Sequence, residues 1–312
     1  VYLQNSGLGN TINPLLSIAD PSVYAVPMLM LIGWRGEPGE EDEPQHVRQG
    51  ELTPKLLDQL GIANRLILRH EHSDWREKVD FLIDHAKKKR TPVALLVGKD
   101  TFAPSTTSHT SPEPTDQLQR ESALNIVLGA IPTEDFTVAT TGMLGRELYE
   151  LRERTESPGR DFLNIGGMGH TSAVAMGMGL ALTEKSIWCL DGDGSAIMHL
   201  GSLAVIAAEN PKNFKHVIFN NRAHDSVGGQ PTAAEFFSFA RVAAALGYNT
   251  TVSATTEKEI LAGLDIIKSE PGPNLLEINI RKGARADLGR PRESPRAMID
   301  NLMKTASDTI SD

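Results

Sequence analysis

The chain has 312 residues, 40% of them hydrophobic, which is enough for two ordinary buried cores and excludes disorder as the main state. Its 31 Lys and Arg against 40 Asp and Glu leave a net charge of −9 with no long single-sign run, which excludes an electrostatic footprint for nucleic acid. The longest apolar run, 25–34, is broken by Pro27 and Gly33 and reaches about half of the roughly 20 residues that a membrane span requires.

Apolar stretches rich in β-branched residues alternate with segments of helical period, so the expected fold is α/β, with parallel sheets flanked by helices. Strands are expected at 1–3, 26–32, 65–68 and 91–97. A helix is expected over 74–89, where Trp75, Val79, Leu82, Ile83 and Ala86 form one apolar stripe; its basic end, Lys87 to Arg90, reads as a solvated terminus. Pro104, Pro112 and Pro114 among many Ser and Thr residues abolish periodicity and mark 99–118 as a linker between domains at 1–98 and 119–312. Beyond it the pattern predicts helix 120–128, strand 136–140, helix 171–182, strand 186–190, helix 200–209, strand 216–219, helices 233–246 and 258–269, strand 275–280 and a closing amphipathic helix at 295–306. The one cysteine, Cys189, permits no intrachain disulfide, reads as a core filler and fits a reducing cytoplasm. The chain begins at Val1 without a methionine, and an upstream portion is expected to precede it.

The sharpest chemical signal is Asp191-Gly192-Asp193-Gly194-Ser195, where a buried strand should end and a helix begin. Glycines there let the backbone approach a phosphate, and free N–H groups face an anion. The next strand ends in Asn220-Asn221, 27 residues beyond Asp193. One helix and one strand return the chain to the same sheet edge, so Asp193 and Asn220 are expected side by side at the carboxyl ends of neighbouring strands. A carboxylate, an amide oxygen and a loop carbonyl are hard donors suited to Mg²⁺ holding a diphosphate. Two further turns, Thr140-Thr141-Gly142 and Gly166-Gly167-Met168-Gly169-His170, follow the same strand-to-helix logic.

These residues resemble the cofactor motif of thiamine diphosphate enzymes, which opens with Gly-Asp-Gly and closes with Asn-Asn at this separation. By that resemblance Asp193 and Asn220 are side-chain ligands of Mg²⁺, and Arg222 supplies its backbone carbonyl. Gly192, Gly194 and Ser195 meet the diphosphate, Thr141, Gly142 and Gly167 are further cofactor contacts, and Met168 props the cofactor in its bent form. Outside the motif, the segments QNSGLGN (4–10), GWRGEPG (33–39), DEPQH (42–46) and HDSVGGQPT (224–232) resemble the phosphonopyruvate decarboxylase family, with the sulfopyruvate decarboxylases as nearest relatives.

That resemblance implies two thiamine diphosphate-binding-fold domains, a pyrimidine-binding one at 1–98 and a diphosphate-binding one at 119–312, with no middle domain. It implies a carboxy-lyase that converts 3-phosphonopyruvate to phosphonoacetaldehyde and CO2, working as a homodimer or higher homo-oligomer with sites between subunits. Asn5 and Gly7 become cofactor contacts, and Arg35, His46, His224 and Ser226 become catalytic or anion-binding groups. The alternatives are a sulfopyruvate or other 2-oxo acid decarboxylase, and a cofactor-binding fragment without catalysis. The last arises because the family's activating glutamate belongs to a segment preceding Gln4. Glu37, Glu40, Glu41 and Glu43 sit in a later loop and are not assigned its role, so the chain by itself is expected to bind cofactor without useful turnover. His70 and His72 have no third partner for a metal and are expected to be solvated.

Overall fold

A computed structural model describes residues 1–71, 73–103, 117–155 and 159–311. The chain divides into two compact units, Val1–His109 and Thr110–Asp312. His72 and most of the expected linker lie outside the described residues.

In the first unit, β1 (Tyr2–Gln4) leads into tight helical turns over 5–19 that include the single turn α1 (Ile12–Pro14). There follow β2 (Met28–Gly33), α2 (Pro44–Gln59), β3 (Ala63–Ile67), α3 (Trp75–Lys89) and β4 (Pro92–Val97). The sheet is parallel, in the order β1-β2-β4-β3. β4 is buried at every position, as a parallel strand covered on both faces must be. Alternate side chains serve opposite faces. Ala94 and Leu96 pack with Leu8, Leu15 and Leu57 from the turns and α2, whereas Val93, Leu95 and Val97 pack with Leu82 and Ala86 of α3.

The second unit runs α4 (Arg120–Ala130), β5 (Phe136–Ala139), α5 (Met143–Thr155), β6 (Arg160–Leu163), α6 (Thr171–Ala181), β7 (Ile187–Gly192), α7 (Asp193–Met198), α8 (Ser202–Glu209) and β8 (Phe214–Asn220). After the small hairpin β9 (Ala223–His224) and β10 (Gln230–Pro231) come α9 (Phe239–Leu246), β11 (Thr250–Ala254), α10 (Glu257–Ser269), β12 (Asn274–Asn279) and α11 (Pro295–Ser311). Six strands form a parallel sheet in the order β11-β12-β8-β7-β5-β6. One face buries Leu124, Leu148 and Leu264 of α4, α5 and α10; the other buries Ala175, Ile206, Phe239 and Leu302 of α6, α8, α9 and α11. No helix among the described residues is long and apolar enough to cross a membrane.

The expected helix at 233–246 is interrupted. A 3-10 turn covers Ala233–Glu235, Phe236 is 86% exposed, and α9 begins only at Phe239 with Ser238 capping Arg241 N–H. The Ser238 hydroxyl also donates to the Glu277 carboxylate at 2.5 Å, which draws the chain out of helical register there. Helices α2 and α5 and strands β6 and β11 add to the expected set. α2 carries Pro54 within it and few apolar residues, so its sequence lacks a clear stripe.

Trp34 Nε1 donates to the Gly50 carbonyl at 3.0 Å, and a Cβ on Gly50 would overlap the carbonyl of Gly36, itself at φ +69°. The loop bearing Arg35 therefore lies directly on the backbone of α2. Gly50→Ala should destabilise the first unit by about 1–3 kcal/mol through overpacking. Equilibrium urea unfolding followed by tryptophan fluorescence measures this, and an unchanged midpoint would mean that the loop backbone can give way freely.

Candidate functional site

The second unit's carboxyl edge gathers the loops that follow β5, β6, β7 and β8. β7 lies between β5 and β8, with Gly192 paired to Phe219, so Asp193 and Asn220 leave adjacent strands at the same level. Both are almost fully buried. The Ser195 hydroxyl accepts from Thr140 Oγ1 at 2.9 Å and from Gly169 N–H at 3.2 Å, which ties three of these loops together. Gly194 sits where a Cβ would stand 2.7 Å from His224 Nδ1 and 3.5 Å from Met168 Cε, so those two side chains flank it. Gly142, at φ +95°, neighbours Ser226: a Cβ there would stand 3.6 Å from the Ser226 Cβ and Oγ. Gly167 is also left-handed, and Thr141 Oγ1 donates to the Ile165 carbonyl at 2.9 Å. Nine of the sequence-predicted residues, Thr141, Gly142, Gly167, Met168, Gly192, Gly194, Ser195, His224 and Ser226, thus border one place beside Asp193 and Asn220.

Asp193 Oδ2 accepts from the Thr232 hydroxyl at 2.5 Å. Burial pushes its carboxyl above the ordinary range against the hydrogen bonds of Thr232 and Gly194 and the charge of His224. Asn220 Nδ2 donates to Glu277 Oε1 at 2.9 Å, which orients the amide, and its Oδ1 accepts from Arg222 N–H at 3.2 Å. Arg222 is held at φ +58°, and its carbonyl accepts from Thr232 N–H at 2.9 Å while keeping a second lone pair. This set fits a hard divalent cation: a buried carboxylate raised by desolvation, an amide oxygen and a backbone carbonyl, all oxygen, converge beside glycines that leave no Cβ in the way.

The loop after β8 is pinned from behind. Arg120 makes a two-pronged ion pair with Glu147 at 2.8 and 3.1 Å and reaches Asp225 Oδ2 at 3.3 Å. The same carboxylate oxygen accepts from Asn221 Nδ2 at 2.6 Å and from Gly283 N–H at 3.0 Å. Burial pushes the Glu147 carboxyl up despite Arg120. Removing one partner of such a pair costs about 3–5 kcal/mol, so these charges hold His224 and Ser226 in place.

Asn5, Gly7, Arg35 and His46 belong to the first unit, at the carboxyl edge of its own sheet. The Asn5 amide is used within that unit: Nδ2 donates to the Arg35 carbonyl at 2.8 Å and to Thr53 Oγ1 at 3.0 Å, and Oδ1 accepts from Arg35 N–H at 3.0 Å. Arg35 Nε donates to Asp42 Oδ2 at 2.7 Å, and its Nη2 pairs with Asp42 Oδ1. That guanidinium holds the Asp42 carboxyl far below its usual range. Burial lowers His46 from its ordinary value, favouring the neutral ring. Gly7 has open space around it. His70 is exposed, as expected.

Sequence reasoning missed Glu277, Thr232 and Arg120. A readable signal existed for Glu277, a lone acid within the apolar run Leu275-Leu276-Glu277-Ile278 of β12, and it is 2% exposed. For the other two, nothing in their neighbours sets them apart.

Residues 141–278 match the model of the thiamine pyrophosphate enzyme C-terminal domain, which binds TPP. The matched range contains the sequence-predicted second-unit residues, Thr141 to Ser226, together with Thr232 and Glu277, while Arg120, Thr140 and Gly283 lie outside it. A phosphonopyruvate decarboxylase of Streptomyces hygroscopicus is 34% identical over 98% of this chain and 78% of its own length. One of Streptomyces viridochromogenes is 34% identical over 94% and 75%. A sulfopyruvate decarboxylase of Methanosarcina acetivorans is 26% identical over 91% and 76%. With this agreement along nearly its whole length, the chain belongs to the thiamine diphosphate-dependent phosphonopyruvate decarboxylase family and is a carboxy-lyase acting on 2-oxo acids.

Proposed function

We propose that the substrate is 3-phosphonopyruvate, which takes up one proton and yields phosphonoacetaldehyde and CO2, and that Mg²⁺ links the cofactor diphosphate to the chain. One observation carries this reading: Asp193, Gly194, Asn220, Met168, His224 and Ser226 converge at the carboxyl edge of the second sheet. The family likeness to two phosphonopyruvate decarboxylases supports the choice of substrate. Thiamine diphosphate supplies, when bound, a carbon nucleophile and a sink for the electron pair released with CO2.

Asp193 and Asn220 hold the metal through side-chain oxygens and Arg222 through its carbonyl, while Gly192, Gly194 and Ser195 face the diphosphate with their backbone. Gly142, Gly167 and Thr141 shape the adjoining loops, and Met168 is the apolar prop. His224 delivers the proton from its ring, and Ser226 hydrogen-bonds a substrate anion beside Gly142. In the first unit, the Arg35–Asp42 pair and Asn5 order the loop that presents Gly7, His46 and the Arg35 cation. The enzyme works in the cytoplasm as a homo-oligomer; relatives 29–38% identical over about half of this chain are named as beta subunits of sulfopyruvate decarboxylase. The pyrimidine-binding role falls to 1–98 and the diphosphate-binding role to 119–312.

The substrate is tested on a version of the protein extended upstream of Val1, so that the activating glutamate implied by the resemblance is supplied, by following aldehyde release from phosphonopyruvate and sulfopyruvate side by side. The phosphonate should be turned over with the higher kcat/KM; preference for the sulfonate would move the chain to the sister activity, and turnover of neither would remove the assignment.

Asp193→Ala should weaken joint Mg²⁺ and thiamine diphosphate binding by about 100-fold or more, because it deletes a charged ligand. Glu277→Gln should cost less, about 10- to 100-fold, as loss of a partner that orients a ligand does. Calorimetric titration of the folded variants distinguishes them, and wild-type affinity in Asp193→Ala would dismiss the metal assignment.

A further inference from the structure

Behind Asp193 and Asn220, in the core between the second sheet and its α6, α8 and α9 layer, lies a second group of metal-ligating side chains. Cys189 and Asp191 are two apart on β7 and so share one face, and His216 on β8 is paired in register with Cys189. One ligand atom of each, the Cys189 sulfur, an Asp191 carboxylate oxygen and a His216 ring nitrogen, all lie within 4.8 Å of one another. His216 Nε2 is 3.8 Å from Asp191 Oδ2. All three residues are 0% exposed.

The hydrogen bonding around this group is incomplete. Asp191 Oδ1 accepts from Gly192 N–H at 2.9 Å, but Asp191 Oδ2 and both nitrogens of His216 have no hydrogen-bond partner among the described residues. Folded proteins leave few buried polar atoms unpaired, and here three fall on two neighbouring residues beside Cys189, a member of the apolar cluster that includes Ile187, Phe214, Ile218 and Phe239. Packing alone explains the cysteine; it does not explain a carboxylate and an imidazole turned toward it.

A sulfur, an imidazole nitrogen and a carboxylate oxygen at these separations suit a borderline-soft dication that accepts mixed donors, unlike the all-oxygen set at Asp193. We propose that Cys189, Asp191 and His216 bind one Zn²⁺ per chain, separate from the diphosphate-linked cation. The Cys189 thiol gives up its proton to solvent as the sulfur–zinc bond forms, and water completes four-coordination. Because the ligands sit on β7 and β8 just before Asp193 and Asn220, the ion clamps the two strand ends that carry the diphosphate-side residues. The proposal does not depend on which 2-oxo acid is turned over.

The test uses the untagged full chain produced in zinc-supplemented or, separately, cobalt-supplemented medium, with bound metal counted by mass spectrometry after dialysis against a chelator. About one zinc per chain is expected in the wild type and in Asp193→Ala, and less than a tenth of that in Cys189→Ala and His216→Phe. The cobalt-loaded protein should show a thiolate-to-cobalt charge-transfer band, which only Cys189, the single cysteine, can produce. A wild type without retained zinc and without that band overturns the proposal, as does zinc lost in Asp193→Ala but kept in Cys189→Ala. Should either core variant fail to fold, the wild-type zinc count and cobalt spectrum decide the matter alone.

Discussion

The Ser195 hydroxyl, accepting from Thr140 and from Gly169 N–H, is the contact on which the site's geometry rests. It joins the loops after β5, β6 and β7 at the point where a parallel sheet presents all its carboxyl ends together. Parallel strands with right-handed helical crossovers put every such loop on one edge, so residues far apart in the chain arrive together. A single hydroxyl then sets their spacing to within a hydrogen bond. Met168, Gly194 and Gly142 take their positions from it, and His224 and Ser226 complete the border from the loop after β8.

Buried charge is the second constraint, and it is handled in pairs. Glu277 takes the Asn220 amide on one oxygen and Ser238 and Ala240 N–H on the other, so both oxygens of this enclosed carboxylate are hydrogen-bonded. Asp225 serves as the meeting point of Arg120, Asn221 and Gly283 N–H. Asp193 differs: its partners are a hydroxyl, backbone N–H groups and an imidazole, and burial still pushes its carboxyl up. Of the three, Asp193 is the carboxylate proposed to meet a cation.

The first unit solves a similar problem with backbone contact. A side chain on Gly50 would overlap the backbone of Gly36, one on Gly36 would overlap the His46 carbonyl, and Asn5 bonds both backbone groups of Arg35. The Arg35 loop is thereby held on α2, and its guanidinium is aimed by Asp42.

The sequence by itself determined the α/β class, the parallel sheets and the pairing of Asp193 with Asn220, because those follow from local pattern: strand-length apolar runs, glycines at strand ends, and a spacing that allows one helix and one strand. It also marked Met168 and the 224–232 loop through family resemblance. It did not reveal α2, whose polar residues and internal Pro54 hide any stripe, nor the break between 235 and 239, which depends on Ser238 reaching Glu277 some forty residues away. Nor did it assign roles to Thr232, Glu277 and Arg120, or reveal that Cys189 faces Asp191 and His216. Each of these is a contact between distant segments, and only the register of the folded sheet decides which side chains stand opposite one another, because a shift of one residue would turn every one of them to the other face.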